Sequence, residues 1–392
     1  MQNKFPPTQS HQVTLANWRT APFNKWAFHH VSELVPSAVI KNDPTTVHSF
    51  APMLETELPD FAFDGANYSI SEYMHQNDID GLVVLHHGQL LYEKYANGMT
   101  IDDPHILMSI SKSMLGLIAG ILVGRGELDT ESAVTDYIPE LDTTAFAGAR
   151  VRDLLDMRSG IDFDEDYLAT QGPIIEYRKS TNWNPLAAGE TPTDLRSFFL
   201  TLKESSGPHG GKFDYKSPCT DLLGWVIERA TGKRYCDVFS ELLWRKSGAE
   251  QPAMITVDRL GAPRVAGGVS MTTRDLARIG QLVAEGGRGI VPKEWIDDIE
   301  APSESAELTK AWDQGSMADR FPGESVHYRS KWYVMRDRGP ILLCLGIHGQ
   351  NLFVDRQSGL VMAKNASAGE PLNMKSTRQS LALFEAIRSR LK

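Results

Sequence analysis

One uninterrupted apolar segment constrains the fold of this chain more than any other feature. The segment from Ser111 to Val123 reads SKSMLGLIAGILV and is apolar on almost every side of a helical projection. Gly124 and Gly126 follow it, and glycine commonly ends helices. A helix that is apolar all round has to be enclosed by other elements. The segment therefore predicts a helix buried within the core of a large protein.

Strand patterns occur near both ends of the chain, with helical patterns between them. A β-hairpin is predicted where 81–85 runs into His87-Gly88 and 90–95 returns. Further strands are predicted at 339–347, 351–354 and 361–363. Helices are predicted at 151–157, 220–230 and about 377–391. This order predicts an α/β (α+β) fold, with a mixed, mainly antiparallel sheet flanked by helices and an inserted helical domain.

The length of the chain predicts two structural regions. Its 392 residues exceed the roughly 250–300 that one core usually holds. We expect an α/β sheet domain built from 1–125 and 255–392, and a helical domain at 126–254. The proline-rich first sixty residues are predicted to form an irregular arm over the core.

Composition excludes several classes of function. The net charge is −10 and no long basic block occurs, so nucleic acid is not expected as a partner. No apolar stretch has the length of a signal peptide or a membrane span, so we expect a cytoplasmic protein without membrane contact. The three cysteines lack CxxC spacing and are expected to be free thiols in a reducing compartment. No metal site and no nucleotide cofactor are predicted.

A serine–lysine pair stands at the start of the buried segment. Ser109-Ile110-Ser111-Lys112 forms an SxxK tetrad, and residues three apart lie on one face of a helix. Lys112 can therefore place its amine beside the Ser109 hydroxyl. Burial favours the neutral amine, which can accept the serine proton and activate the hydroxyl as a nucleophile. A second tetrad, Ser389 to Lys392, lies on the solvated terminal helix, and we attribute it to chance.

The segments around and after this pair resemble those of the serine β-lactamase and penicillin-binding superfamily, in the same order along the chain. The matching segments are Met108 to Ser113, Val151 to Gly160, Phe213 to Ser217, Ala266 to Ala277 and Gly346 to Gln350. The nearest relatives that they suggest are class C β-lactamases, the esterases resembling them, and 6-aminohexanoate-dimer (nylon oligomer) hydrolases. The last group is the most similar, through 24–28, 164–167 and 346–351.

The resemblance implies roles for residues beyond the serine–lysine pair. Tyr215 would relay a proton to the leaving group as general acid. Tyr95 matches the family's tyrosine motif by letter, but it precedes the nucleophile and we reject it. The strand at 346–350 would supply a backbone amide, from Gly349 or Gln350, to an oxyanion hole shared with Ser109.

The candidate substrate-binding residues include two departures from the β-lactamase pattern. Ser217 stands where β-lactamases carry asparagine, and His348 stands where they carry lysine, which makes affinity for β-lactams doubtful. Tyr167 and Trp183 are candidates to line the pocket. The nylon-oligomer hydrolases recognise a substrate amino group through an acidic residue in this region. Here Arg178 lies near that place, with Glu176 two residues earlier, which favours a neutral or acidic substrate.

Three functions are compatible with these residues. The first is hydrolysis of a small linear amide or carboxylic ester through an acyl-enzyme on Ser109, without a cofactor. The second is β-lactamase or D-amino-acid peptidase activity on the same fold. The third is non-catalytic ligand binding, which has no need of a buried amine beside a hydroxyl. The sequence leaves the oligomeric state open, with a homodimer as one option.

Overall fold

The computed structural model describes residues 7–51, 57–337 and 339–391. The strands are β1 (Ser37–Ile40), β2 (Phe61–Phe63), β3 (Ala66–Tyr68), β4 (Ile79–His86), β5 (Gln89–Tyr95), β6 (His105–Ile106), β7 (Ala253–Thr256), β8 (Val269–Met271), β9 (Val326–Arg329), β10 (Trp332–Met335), β11 (Ile341–Gly346), β12 (Gln350–Asp355) and β13 (Leu360–Ala366).

The helices fall mostly between β6 and β9 in the chain. They are α1 (Asn24–Ala27), α2 (Ile70–Gln76), α3 (Ile110–Gly124), α4 (Val134–Tyr137), α5 (Val151–Leu155), α6 (Pro173–Ser180), α7 (Leu195–Phe199), α8 (Ser217–Thr231), α9 (Tyr235–Phe239), α10 (Thr273–Ala284), α11 (Lys293–Glu300), α12 (Ser305–Asp313) and α13 (Met374–Arg390). A π-helical turn at Ser240–Trp244 and short 3₁₀ turns, one of them at Ile347–Gly349, complete the elements that the site depends on.

A seven-stranded sheet joins the two ends of the chain. Its strand order is β5-β4-β13-β12-β11-β10-β9, and each neighbouring pair is antiparallel. The predicted hairpin is present as β4 and β5, and the late strands lie in the same sheet. The fold class predicted from the sequence is therefore confirmed.

Helix α3 is the buried helix that the apolar segment predicts. Every residue from Ile110 to Leu122 is buried. Two glycines allow neighbours to approach the helix closely: a Cβ on Gly116 would meet the Ser330 carbonyl, and one on Gly120 would meet the ring of Trp295. The start of α3 is thereby fixed against the rest of the core, which matters because Ser109 precedes it directly.

The N-terminal arm is more regular than the sequence predicts. Residues 37–40 form β1, which pairs with β7 in a second sheet of order β1-β7-β8-β6. The sequence gives no hairpin signal for this pairing because the two strands are far apart in the chain. The arm also packs Trp18 and Phe28 into a second apolar cluster with Met108 and Trp183. Residues 1–6 and 52–56 of the predicted arm lie outside the described residues.

Helices α4 to α9 occupy the segment predicted as a separate domain. Between 107 and 252, all of which the structure describes, no strand of these sheets occurs. The division into two domains at 126 and 254 stays a prediction. The three cysteines are free and buried, as expected for unpaired thiols. No helix in the described ranges is both long and apolar enough to cross a lipid bilayer.

Candidate active site

Ser109 is the residue that caps the N-terminus of α3. Met108, directly before it, has a φ of 48°, a left-handed conformation that is rare for a side chain of this size. This tight turn presents Ser109 at the start of the helix. The Ser109 hydroxyl makes no capping hydrogen bond to the helix amides, so it remains available to other partners.

Lys112 lies one turn into α3 and points back to the serine. Its Nζ donates to Ser109 Oγ at 2.9 Å and to the Ala266 carbonyl at 2.6 Å. The side chain is buried, and this burial is the main reason that the pKa of Lys112 falls to about 8. The negative charge of Glu165 opposes the shift without cancelling it. Lys112 can therefore exist as a free amine near neutral pH, in contact with a hydroxyl.

Tyr215 covers the serine–lysine pair from the loop before α8. The Lys112 Nζ lies 4.9 Å from the centre of its ring, and the ring is buried. Burial raises the pKa of Tyr215 well above its usual range, and the hydrogen bond with Ser109 lowers it only in part. The residue is therefore a neutral phenol, which can donate a proton to Ser109 or to a group bound there. A proton shared between Lys112 and a Tyr215 phenolate is not favoured.

Ser109 lies between two lobes of one cleft. The arginine lobe is lined by Arg19, Arg178, Arg264, Glu165, Trp183 and Ser217. The tyrosine lobe is lined by Tyr215, Tyr333, Arg320, Leu345 and Gly349. Ser109, Tyr167 and Ile347 line both lobes.

The predicted binding residues Tyr167, Ser217 and Trp183 line this cleft. The hydroxyl of Tyr167 donates to Glu165 at 2.8 Å, and the Ser217 hydroxyl donates to the same carboxylate at 2.5 Å. Trp183 is buried and donates its Nε1 proton to Thr256 Oγ1 at 3.1 Å. The structure thus brings Tyr167, Ser217 and Trp183 together with Ser109, Lys112 and Tyr215.

The strand motif after β11 enters the cleft only in part. Gly349 lines the tyrosine lobe, whereas His348 and Gln350 line neither lobe. A φ of 63° turns His348 away, so that its ring packs against Phe28 and its Nδ1 bonds the Ala368 carbonyl at 2.7 Å. Burial lowers the pKa of His348 to about 4, so it is neutral. The Gln350 side chain is buried beside the Ala366 carbonyl, to which it donates at 2.5 Å.

Several residues of the cleft are missing from the sequence-based predictions. Glu165 accepts the Ser217 amide and hydroxyl and the Tyr167 hydroxyl, so it organises one wall of the arginine lobe. Its only sequence signal is its place beside Tyr167. Arg264 precedes the predicted Ala266 turn, and Tyr333 lies on β10 against Tyr215. Arg19 comes from the arm, where no motif marks it.

The residues that sequence reasoning set aside lie away from the cleft. Tyr95 donates to Glu93, and Ser389 is exposed on α13, while Lys392 lies outside the described residues. Glu176 is exposed and pairs with Lys179 at 3.1 Å. Of Glu176 and Arg178, the two residues that the sequence places in this region, only Arg178 therefore lines the cleft. Over 7–51, 57–337 and 339–391, no three His, Cys, Asp or Glu side chains are grouped so that they could hold a metal ion.

The fold is β-lactamase/transpeptidase-like, with an enclosed helix beside an antiparallel sheet. At the start of that helix, a serine is held against a buried lysine. The chain belongs to the β-lactamase family, whose sequence profile, described as Beta-lactamase, matches residues 68–384. It is a hydrolase of that family.

Two relatives match nearly the whole chain. The 6-aminohexanoate-dimer hydrolase of Paenarthrobacter ureafaciens is 36% identical over 377 residues, which cover 94% of this chain and 91% of the relative. A Bacillus anthracis structure provisionally named a 6-aminohexanoate-dimer hydrolase is 27% identical, with a TM-score of 0.87 over 98% of both chains. EstCE1, a hydrolase with promiscuous acyltransferase activity, shares the fold at 17% identity and a TM-score of 0.63, over 81% of this chain and 96% of its own.

Proposed function

We propose that this protein hydrolyses a small linear amide or carboxylic ester through an acyl-enzyme on Ser109. The observation that carries the proposal is the 2.9 Å hydrogen bond from a buried, readily neutralised Lys112 to a hydroxyl that lines an open cleft. A serine needs such a proton acceptor to become a nucleophile. The 36% identity with a 6-aminohexanoate-dimer hydrolase supports amide or ester chemistry.

The acylation step follows from the positions of the three polar groups. The neutral Lys112 amine takes the proton of Ser109 as Oγ bonds to the substrate carbonyl carbon. Tyr215 then donates its proton to the leaving amine or alkoxide, and the proton on Lys112 restores the phenol. In the second half, water gives its proton to the same groups, its oxygen bonds to the acyl carbon, and Ser109 leaves with a proton.

The negative charge on the carbonyl oxygen requires two hydrogen-bond donors. The Ser109 amide, at the positive end of α3, is one of them. For the second we propose an amide of the turn Ile347–Gly349, because both of those residues line the cleft. Gln350 is a weaker candidate, since it lies within the β11–β12 hairpin, opposite Gly346.

The other two functions have less support. His348 offers no cation for the carboxylate of a penicillin, because its ring is neutral, packs against Phe28 and lines neither lobe of the cleft. A protein that only binds ligands gains nothing from placing a buried amine against a hydroxyl. Amide or ester hydrolysis therefore fits the cleft best.

Covalent labelling and a hydrolysis panel test the proposal together. A fluorophosphonate should label the wild-type protein at Ser109, and Ser109→Ala should lose the label. The panel comprises short-chain p-nitrophenyl esters, linear ω-amino amides, D-amino-acid amides and a chromogenic cephalosporin. We expect Ser109→Ala to lose hydrolysis by on the order of a thousandfold or more, with thermal unfolding unchanged.

Ser389→Ala serves as the matched control, because it alters the exposed SxxK copy and should change nothing. Retention of more than about a tenth of kcat in Ser109→Ala would remove this serine from the nucleophile role. Turnover of the cephalosporin alone would replace the proposal with a β-lactamase function.

A further inference from the structure

Two arginines in the arginine lobe form no ion pair with a carboxylate of the described residues. Arg19 and Arg178 both line the cavity that contains Ser109. Within the described ranges, neither guanidinium forms an ion pair, in contrast to Arg264 beside them, which pairs with Asp221. An unpaired cation in a half-buried cavity is costly unless something binds there. The lobe therefore contains two guanidinium groups whose positive charges are not neutralised by an ion pair with the described residues.

Arg19 is held in place by neutral groups alone. Its guanidinium lies against the rings of Trp18 and Trp183, at 5.4 and 5.8 Å from the ring centres. It donates to the Trp183 carbonyl and to Asn184, while its Nε proton is buried without a hydrogen-bond partner in the part of the chain described. Burial, with repulsion from the neighbouring arginines, lowers the pKa of Arg19 to about 9. A bound anion would offset both the cost of burying the Arg19 charge and the repulsion between the arginines.

Arg178 enters the lobe from α6. It donates to the Tyr167 carbonyl at 3.1 Å, and no hydrogen bond to a side chain is seen for it among the described residues. Burial lowers its pKa, and Glu165 and the exposed Asp166 oppose that shift. Arg178 is therefore fixed by one backbone contact, with its remaining N–H groups available to a ligand.

Among the side chains that line the lobe, the formal charges sum to one positive charge once Arg264 is paired with Asp221; the exposed Asp166, which also acts on Arg178, lies outside the lobe. Arg264 is neutralised by Asp221, whose other oxygen accepts the Ala266 amide at 2.7 Å. Glu165 supplies one negative charge against the two of Arg19 and Arg178. A ligand with a single carboxylate would complete the balance, and guanidinium groups bind carboxylates in paired hydrogen bonds.

We propose that Arg19 and Arg178 form a subsite for a carboxylate on the substrate, so that the enzyme acts on monoamides or monoesters of short dicarboxylic acids. The inference rests on the proposed function, since it assigns the acyl group that Ser109 would carry. The end of the proposed substrate that meets the arginines is negative, whereas the end of a substrate with a terminal amine would be positive.

Each lobe of the cleft would hold one half of the substrate. Tyr215 lines the tyrosine lobe and not the arginine lobe, and it is the proposed proton donor to the leaving group. The leaving amine or alkoxide therefore lies in the tyrosine lobe. The acyl chain extends the other way, and its far end meets Arg178 and Arg19. Ile174 and Trp183 line the same lobe and offer apolar contacts to a short aliphatic chain.

Three anilides of equal chain length test the subsite. The 4-nitroanilides of adipic acid, hexanoic acid and 6-aminohexanoic acid share a six-carbon acyl chain. Carbon 6 is a carboxylate in the first and a methyl group in the second, and it carries an ammonium group in the third. Their binding is measured by calorimetry on the Ser109→Ala protein, which separates recognition from hydrolysis. We expect the carboxylate ligand to bind at least about tenfold tighter than the other two, the effect of one charged hydrogen-bonded contact.

Variants in the same Ser109→Ala background localise the effect. Arg178→Ala should remove the preference for the carboxylate, because it weakens binding of the adipoyl anilide more than binding of the hexanoyl anilide, while Arg178→Lys should retain part of the preference. Arg196→Ala is the matched control, because Arg196 also lies over a tryptophan but pairs with Glu228 outside the cleft. Equal or tighter binding of the ammonium ligand, or a preference that survives Arg178→Ala, would overturn the subsite.

Hydrolysis of the same anilides by the wild-type protein addresses the proposed function separately. Cleavage of all three without a preference would support the hydrolase and reject the subsite. Selective binding of the carboxylate ligand, with no cleavage and no fluorophosphonate label on Ser109, would support the subsite and reject the acyl-enzyme.

Discussion

Lys112 can accept the Ser109 proton only as a free amine, so activity should follow its titration. The pKa of about 8 means that the fraction of free amine, and with it kcat/KM for a neutral ester, rises with pH and levels off above pH 8. Below that point the rate should fall about tenfold per pH unit. Lys112→Arg should be as damaging as Lys112→Ala, because a guanidinium keeps its proton. A rate that is flat from pH 6 to 9, or an active Lys112→Arg variant, would exclude this base.

Tyr215 should matter according to the leaving group. An amine must be protonated to leave, whereas a nitrophenolate leaves as an anion. Tyr215→Phe, which retains the buried ring, should therefore slow amide hydrolysis by about 100-fold or more and p-nitrophenyl esters much less. Both substrates are measured on both proteins. Equal losses for ester and amide would leave Tyr215 as a packing residue.

At the scale of single residues, prediction from sequence succeeds where the site is local. Ser109 and Lys112 are three apart on one helix, so their contact follows from helix geometry. Arg19 meets Arg178 only because the arm packs Trp18 against Trp183, at 5.2 Å between rings, and no pattern encodes that contact. The direction of the His348 ring depends on a left-handed backbone conformation at that residue. That conformation cannot be read from the sequence, because the residue is not a glycine.

Helix α3 owes its position to glycines as much as to its apolar surface. In an isolated helix, glycine to alanine is favourable by about 1 kcal/mol. At Gly116 the new methyl group would meet the Ser330 backbone carbonyl in the β9–β10 turn. We therefore expect Gly116→Ala to lower the free energy of unfolding by about 1–3 kcal/mol, the usual cost of overpacking. Thermal or urea unfolding measures it.

Gly207→Ala is the control for this change, because its added methyl group would meet nothing within 4 Å. It should leave stability nearly unchanged. If Gly116→Ala were as stable as the parent protein, then the contact between α3 and the β9–β10 turn would have no importance for placing Ser109.

For the whole molecule, the sequence patterns predict the architecture. They do not predict how the N-terminal arm packs against the cleft. Short apolar runs mark β4, β5 and the late strands. The order of strands and helices indicates the fold class. The pairing of β1 with β7 and the folding of the arm onto the cleft depend on contacts between distant segments. Such contacts leave no periodic trace in a single sequence.

Strand β13, the last strand that the structure describes along the chain, lies between β4 and β12 and so occupies an interior position of the main sheet. On the ribosome, Ser109 and Lys112 emerge long before the strands that fix their surroundings. The sheet can close only when residues 360–366 have left the exit tunnel. A chain that ends before residue 347 would carry the proposed nucleophile, Ser109, without the turn at 347–349 that lines the same cleft. The proposed hydrolytic activity therefore requires that residues 360–366 have joined the sheet, and so depends on the completed fold.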